Sequence, residues 1–204
     1  DFAMTAGSLQ TDDGTPLRLA NDLTLTGHEG FAFAGLQLDN HLLTLGSDNS
    51  SLTIGNAFEI DVNEGILTQG ADFSAQSTTT ITGGTLSSTG GTLQFDDTLT
   101  LQSGTLDSTN STVVLNGNLV KIGGTWVSSG TTLSLDENDV TLQSDTGQTF
   151  MALELGDQLL TLGSATTDLT IQTTVAWDND GEGVDYGVAD LTFEGQLTIT
   201  DGKL

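Results

Sequence analysis

LQFDDTLTL at residues 93–101, VVLNGNLVKI at 113–122 and LSLDENDVTL at 133–142 are one phrase stated three times. Each runs from an apolar-x-apolar triplet through a short Asp/Asn/Gly-rich turn into a second apolar-x-apolar triplet. A second phrase separates them: GGTLSSTGGT at 83–92, SGTLDSTNST at 103–112 and GGTWVSSGTT at 123–132. The step from Leu93 to Val113 equals the step from Val113 to Leu133, so the copies keep a constant period. Strict alternation sends Leu, Val and Phe to one side of a strand and Thr, Ser and Gln to the other. Asp96-Asp97 and Asn116-Gly117 are corner chemistry, because these residues tolerate the left-handed backbone of tight turns. GTLxS adds a third short strand with one inward residue: Leu86, Leu106 and Trp126, with Leu9 as an earlier copy.

Further copies of the first phrase begin at Leu17, Leu36, Leu52 and Phe73 before the central three, and at Leu153, Leu169 and Leu191 after them. The intervals between the ten starts are 19, 16, 21, 20, 20, 20, 20, 16 and 22. Where the interval falls to 16, GSDNSS at 46–51 and GSATTD at 163–168 are expected to reduce the third side to a bare turn. A longer repeat overlies this one. Residues 21–54 align without gaps on 138–171 at an offset of 117, with 17 of 34 positions identical.

So short a unit, with only two or three brief strands, cannot bury its apolar side alone, and stacking on neighbours is the remedy. No segment carries helical apolar spacing. The expected fold is all-β: a parallel β-solenoid, or β-helix, of about ten coils of about 20 residues each. Six coils would make up one long repeat at the offset of 117. One domain over residues 1–204 is expected. An antiparallel sandwich or up-and-down barrel has no reason to keep so constant a period. Phe2 falls opposite Leu119 in the long repeat, so the chain is expected to be a segment of a longer repeat protein, or else to dock end to end on other copies.

Three basic residues, Arg18, Lys121 and Lys203, stand against 28 acidic ones, a formal net charge of −25. Nucleic acid and anionic membranes repel such a surface, so neither is an expected partner. There are no cysteines, which removes disulfides, thiolate metal sites and Cys nucleophiles. No run reaches the roughly 18 apolar residues of a membrane span, so no membrane insertion is expected.

These Leu-rich, Thr/Ser/Gly-rich coils with few basic residues and no cysteines resemble the passenger regions of bacterial autotransporters and filamentous-haemagglutinin-type adhesins. The resemblance covers the whole chain and rests on pattern. It implies an extracellular or cell-surface structural rod, an adhesin stalk or filament subunit, and carries over no functional residue. Its partners would be further copies of itself or a host or cell-surface ligand. A carbohydrate-binding or carbohydrate-cleaving β-helix is one alternative; a calcium-stabilised surface-layer or biofilm matrix module is another.

The sharpest local motif is Asp178-Asn179-Asp180-Gly181-Glu182-Gly183, followed by Asp185. Alternating carboxylates ahead of a glycine resemble the first half of an EF-hand-type calcium loop. Asp178, Asp180, Glu182 and Asp185 are therefore the candidate ligands, with calcium as the possible cofactor. Ala189 stands where such a loop places its bidentate Glu, and a solvated acidic loop is the competing reading. Asp12-Asp13, Asp96-Asp97 and Asp136-Glu137 are carboxylate pairs of the kind glycosidases use, but all fall at turns. His28 and His41 lie in different coils without a nucleophile motif. No catalytic residue is expected, and the chain is not expected to be an enzyme. Outward threonines such as Thr80 and Thr82 raise ice binding, yet the pairs Glu59/Asp61, Thr100/Gln102 and Lys121/Gly123 at the equivalent positions break the array. The phenylalanines, Trp126 and Trp177 fall at or beside inward positions, where they fill the core.

Overall fold

The computed structural model of this chain describes residues 2–3, 9–10, 14–27, 30–46, 50–164, 166–173, 175–195 and 197–203; for 2–3, 9–10, 176–182 and 197–203 it describes the backbone alone. The chain is a parallel β-solenoid of about eight turns, with about 20 residues per turn. Three ladders of parallel strands make its walls. The first face holds Phe2–Ala3, Leu23–Thr26, Leu42–Leu45, Gly65–Leu67, Thr85–Ser87, Thr105–Asp107 and Thr125–Val127. The second runs from Leu9–Gln10 through Phe31–Phe33, Ser51–Ile54, Asp72–Ala75, Thr92–Phe95, Thr112–Leu115 and Thr132–Leu135 to Ala152–Glu154. The third runs from Phe58–Ile60 through Thr79–Ile81, Leu99–Leu101, Leu119–Lys121, Val140–Ser144 and Leu159–Leu162 to Val175–Asp185 and Leu197–Lys203.

Two short sheets continue these walls. Leu17–Arg18 pairs with Leu36–Gln37 below the third face. Gln148–Phe150, Leu169–Ile171 and Leu191–Phe193 stack above the first.

The alternation of the sequence becomes inside and outside. Leu43, Ile66, Leu86, Leu106 and Trp126 stack on the first face. Leu52, Phe73, Leu93, Val113, Leu133 and Leu153 stack on the second. All of these are buried, in one continuous core. Phe58, Phe73 and Phe95 meet inside it, with ring centroids 6.0 and 6.1 Å apart.

The phrases do not each mark one full turn, so ten phrases give about eight turns. The copies at Leu17 and Leu36 start on the third face, whereas those from Leu52 to Leu153 start on the second. The interval of 16 between Leu36 and Leu52 is two faces of a turn, and no side is lost there: Leu42–Leu45 and Ser51–Ile54 are the first and second faces themselves. The same slip recurs between Leu153 and Leu169. Leu9, for the same reason, pairs with Phe31 on the second face rather than lying beneath Leu86. The offset of 117 is therefore five turns and two further faces instead of six coils. The identical LLTLGS runs accordingly sit on different walls, Leu42–Leu45 in the first and Leu159–Leu162 in the third.

Candidate functional site

Two of the walls are interrupted, and a cleft lies at each interruption. The upper one follows from chain length around a single turn. Leu99 pairs with Leu119, and Leu119 with Leu142, so the second step is longer than the first by three. The extra residues lie in the corner before Val140. On the second face the step from Leu133 to its partner Leu153 is the ordinary one again, so the excess is given back in the short corner after Phe150. The first-face strand between these corners, Gln148–Phe150, is thereby displaced and makes no ladder with Thr125–Val127 beneath it. Among the described residues, the contacts between these turns include Ser128 Oγ donating to the Thr149 carbonyl at 2.7 Å, the Met151 amide donating to the Thr131 carbonyl at 2.8 Å, and the Trp126 and Phe150 rings meeting edge to face at 5.0 Å.

The cleft in this gap has a volume of about 340 Å³ and is lined by Lys121, Trp126, Asp145, Thr146, Gln148 and Thr149, among others. Lys121 occupies an inward row, above Leu101 and below Ser144. Its side chain is only 3% exposed, and Nζ donates to the Asp145 carboxylate and, at 3.1 Å, to Thr146 Oγ1. The expectation that Lys121 points outward beside Thr100 is thus overturned: Val120 is the residue level with Thr100. The phrase at 113–122 is one residue longer than its neighbour at 93–101, and the two match from their starts, not from their ends. Gln148 is buried too, its amide donating to Ser144 Oγ and to the Thr146 carbonyl, both at 3.2 Å. Trp126 Nε1 donates to Ser108 Oγ at 2.9 Å, which leaves the indole as an apolar floor.

The lower cleft, also about 340 Å³, lies where Leu36–Gln37 fails to pair with Phe58–Ile60, and it is acidic: Asp39, Glu59, Asp61 and Glu64 line it. Of its carboxylates, Asp39, Asp61 and Glu64 are already engaged. Asp39 pairs with Arg18 at 2.5 Å, and this hydrogen bond and charge hold the guanidinium pKa above its ordinary value. Glu64 accepts the Asn40 and Asp61 amides at 3.0 and 2.9 Å. Among the described residues no group of three or more His, Asp or Glu side chains is placed to hold a metal ion.

The other expected sites disperse. The side chains of Asp178, Asp180 and Glu182 lie outside the described residues; Asp185 is exposed. Their backbone lies within the strand Val175–Asp185, in which residues 183–185 pair with 159–161 and residues 175–178 with residues of Leu197–Lys203, while residues 179–182 fall in the register shift between Asp178 and Gly183. Asp12, Asp13 and His28 also lie outside the described residues. Asp97 accepts the Thr98 amide at 2.6 Å and the Thr78 hydroxyl at 3.1 Å, and these bonds, the backbone one foremost, hold its pKa below the ordinary value. His41 faces Asp22 at 3.5 Å. Along the third face the outward row reads Glu59, Thr80, Thr100, Val120, Gln143, so the threonine array is broken.

No family model matches the chain, and neither a curated protein nor a solved structure does. The cleft at the upper break thus stands on its own geometry. It combines a buried ammonium, a half-exposed carboxylate, an amide, hydroxyls and an indole in a gap of the wall.

Proposed function

We propose that the chain is a structural repeat segment of a secreted or cell-surface bacterial protein, an adhesin stalk, passenger region or extracellular filament subunit. The observation that supports this reading is the single core that runs from Leu19 to Ala189 without a polar interruption large enough to divide it. At about 4.8 Å per rung, eight turns make a rod roughly 40 Å long. Successive turns are tied through three ladders, or two where a wall is interrupted, so a pull along the rod meets many hydrogen bonds at once. Such a column serves as a spacer that holds whatever it carries at a fixed distance. A surface of net charge −25 keeps neighbouring rods apart in dilute salt.

The test is location. Antibodies raised against the folded chain are expected to label intact cells of the source organism and to recover the parent protein from the extracellular fraction. Labelling that requires permeabilised cells would overturn the reading.

A further inference from the structure

We infer that the cleft between Thr125–Val127 and Gln148–Phe150 binds a neutral, hydroxyl-rich ligand, a saccharide of one or two rings.

The residues turned into this cleft serve stability poorly. In the row where Ile60, Ile81 and Leu101 precede it, Lys121 is 3% exposed and Ser144 above it 1%. Burying the ammonium costs desolvation that offsets its attraction to the half-exposed Asp145, and apolar residues of similar size commonly match or better such an arrangement in stability. Leucine already fills the same place one turn below. An ammonium here is therefore better explained by what it can donate to than by packing.

Charge selects the ligand class. The Lys121 ammonium is met by Asp145 and by Thr146 Oγ1, so the site as a whole is close to neutral. An anionic ligand would have to displace Asp145 and approach a molecule of net charge −25, against long-range repulsion. A cation would meet the ammonium. A sugar hydroxyl both donates and accepts, so it can add to the pair without breaking it. The Asp145 side chain is 41% exposed at the mouth, where it stands as an acceptor. Thr125, Ser128 and Thr149 place hydroxyls on the rim, and the buried Trp126 gives the cleft an apolar floor. The volume of about 340 Å³ is near the lower limit of roughly 300–1,000 Å³ for ligand pockets, which suits one or two rings and excludes a longer chain lying wholly inside.

This inference stands apart from the rod reading. A chain confined to the cell interior would still bind the sugar, and a surface rod without sugar affinity would remain a rod.

Saturation-transfer NMR on the intact chain is the test, with glucose, galactose, mannose, maltose, cellobiose and lactose as neutral probes and glucuronate and galacturonate as charged ones. At least one neutral sugar is expected to bind with a millimolar Kd, and its uronate at least tenfold more weakly. Thr149→Trp, which fills the mouth from an exposed position, is expected to abolish the signal and leave the melting temperature unchanged. Asp145→Ala is expected to weaken binding at least tenfold; should that variant unfold, Lys121→Met, which removes the charge from an apolar row, decides instead by losing the sugar and keeping the fold. Absence of transfer to every neutral sugar, uronates binding as well or better, or an undiminished signal in Thr149→Trp would each overturn the site.

Discussion

Inward and outward positions one residue apart carry opposite consequences. Leu106 is fully buried between Leu86 and Trp126, while its neighbour Thr105 faces out. Leu106→Asp places a charge without a partner in an apolar column, a cost expected to exceed about 4 kcal/mol. Thr105→Asp is expected to stay within about 0.5 kcal/mol. Thermal melts by circular dichroism compare them, and equal midpoints would reverse the register. Thr79 runs the other way: it is inward between Phe58 and Leu99, and its hydroxyl has no hydrogen-bond partner. Thr79→Val keeps the shape and removes an unsatisfied group, so the melt should shift upward by the equivalent of about 1 kcal/mol. Asp97 gives a pH signature. Its folded pKa is lowered below the ordinary 3.8 by the Thr98 and Thr78 bonds, so the unfolded chain binds its proton first. The stability it contributes is present above that ordinary value and is lost as pH falls through the lower, folded one. Asp97→Ala should therefore melt below wild type near neutrality and converge with it at the acid end. A gap that stays constant at every pH would refute the assignment.

Corners, more than strands, set how one turn sits on the next. Gly84 and Gly104 occupy the same corner in successive turns; a Cβ on Gly104 would lie 2.2 Å from the Gly84 carbonyl oxygen and 2.6 Å from Ile81 Cγ2. Gly104→Ala is expected to cost about 1–3 kcal/mol by forcing this corner apart. Gly55, where the nearest atom to a Cβ would be 3.5 Å away, should accept Ala at a cost within about 0.5 kcal/mol, and comparison of the two midpoints in urea checks the contrast. The corners also decide what was legible beforehand. Repeated triplets disclosed strands, period and inward residues, because burial demands alternation whichever wall a strand joins. Which wall it joins was hidden, since LLTLGS packs equally well on the first face at Leu42–Leu45 and on the third at Leu159–Leu162. Lys121 could have been found, because carrying the constant step forward without a gap sets it on Leu101. Its pairing with Asp145 could not, since that needs the excess length of the preceding corner to be resolved in space.

On the scale of the whole molecule, net charge and ladder geometry pull against each other. The stack brings successive turns within about 4.8 Å, and with them carboxylates such as Asp39, Glu59, Asp61 and Glu64 that share one cleft. Few cations answer them. Among the described residues the ion pairs are Arg18–Asp39 and Lys121–Asp145, with His41 beside Asp22 if protonated. The unfolded chain spreads the same charge of −25 over a larger volume, so repulsion weighs more heavily on the folded rod. Screening should relieve it. Between about 0.01 and 1 M sodium chloride the Debye length contracts from about 30 to about 3 Å, and the melting temperature is expected to rise steadily by several degrees. Sodium sulfate also strengthens apolar burial and so cannot serve alone; the chloride series isolates the charge effect. A melting temperature that is flat or falls with sodium chloride would mean that local pairs such as Arg18–Asp39, which salt weakens, govern the rod more than its net charge does.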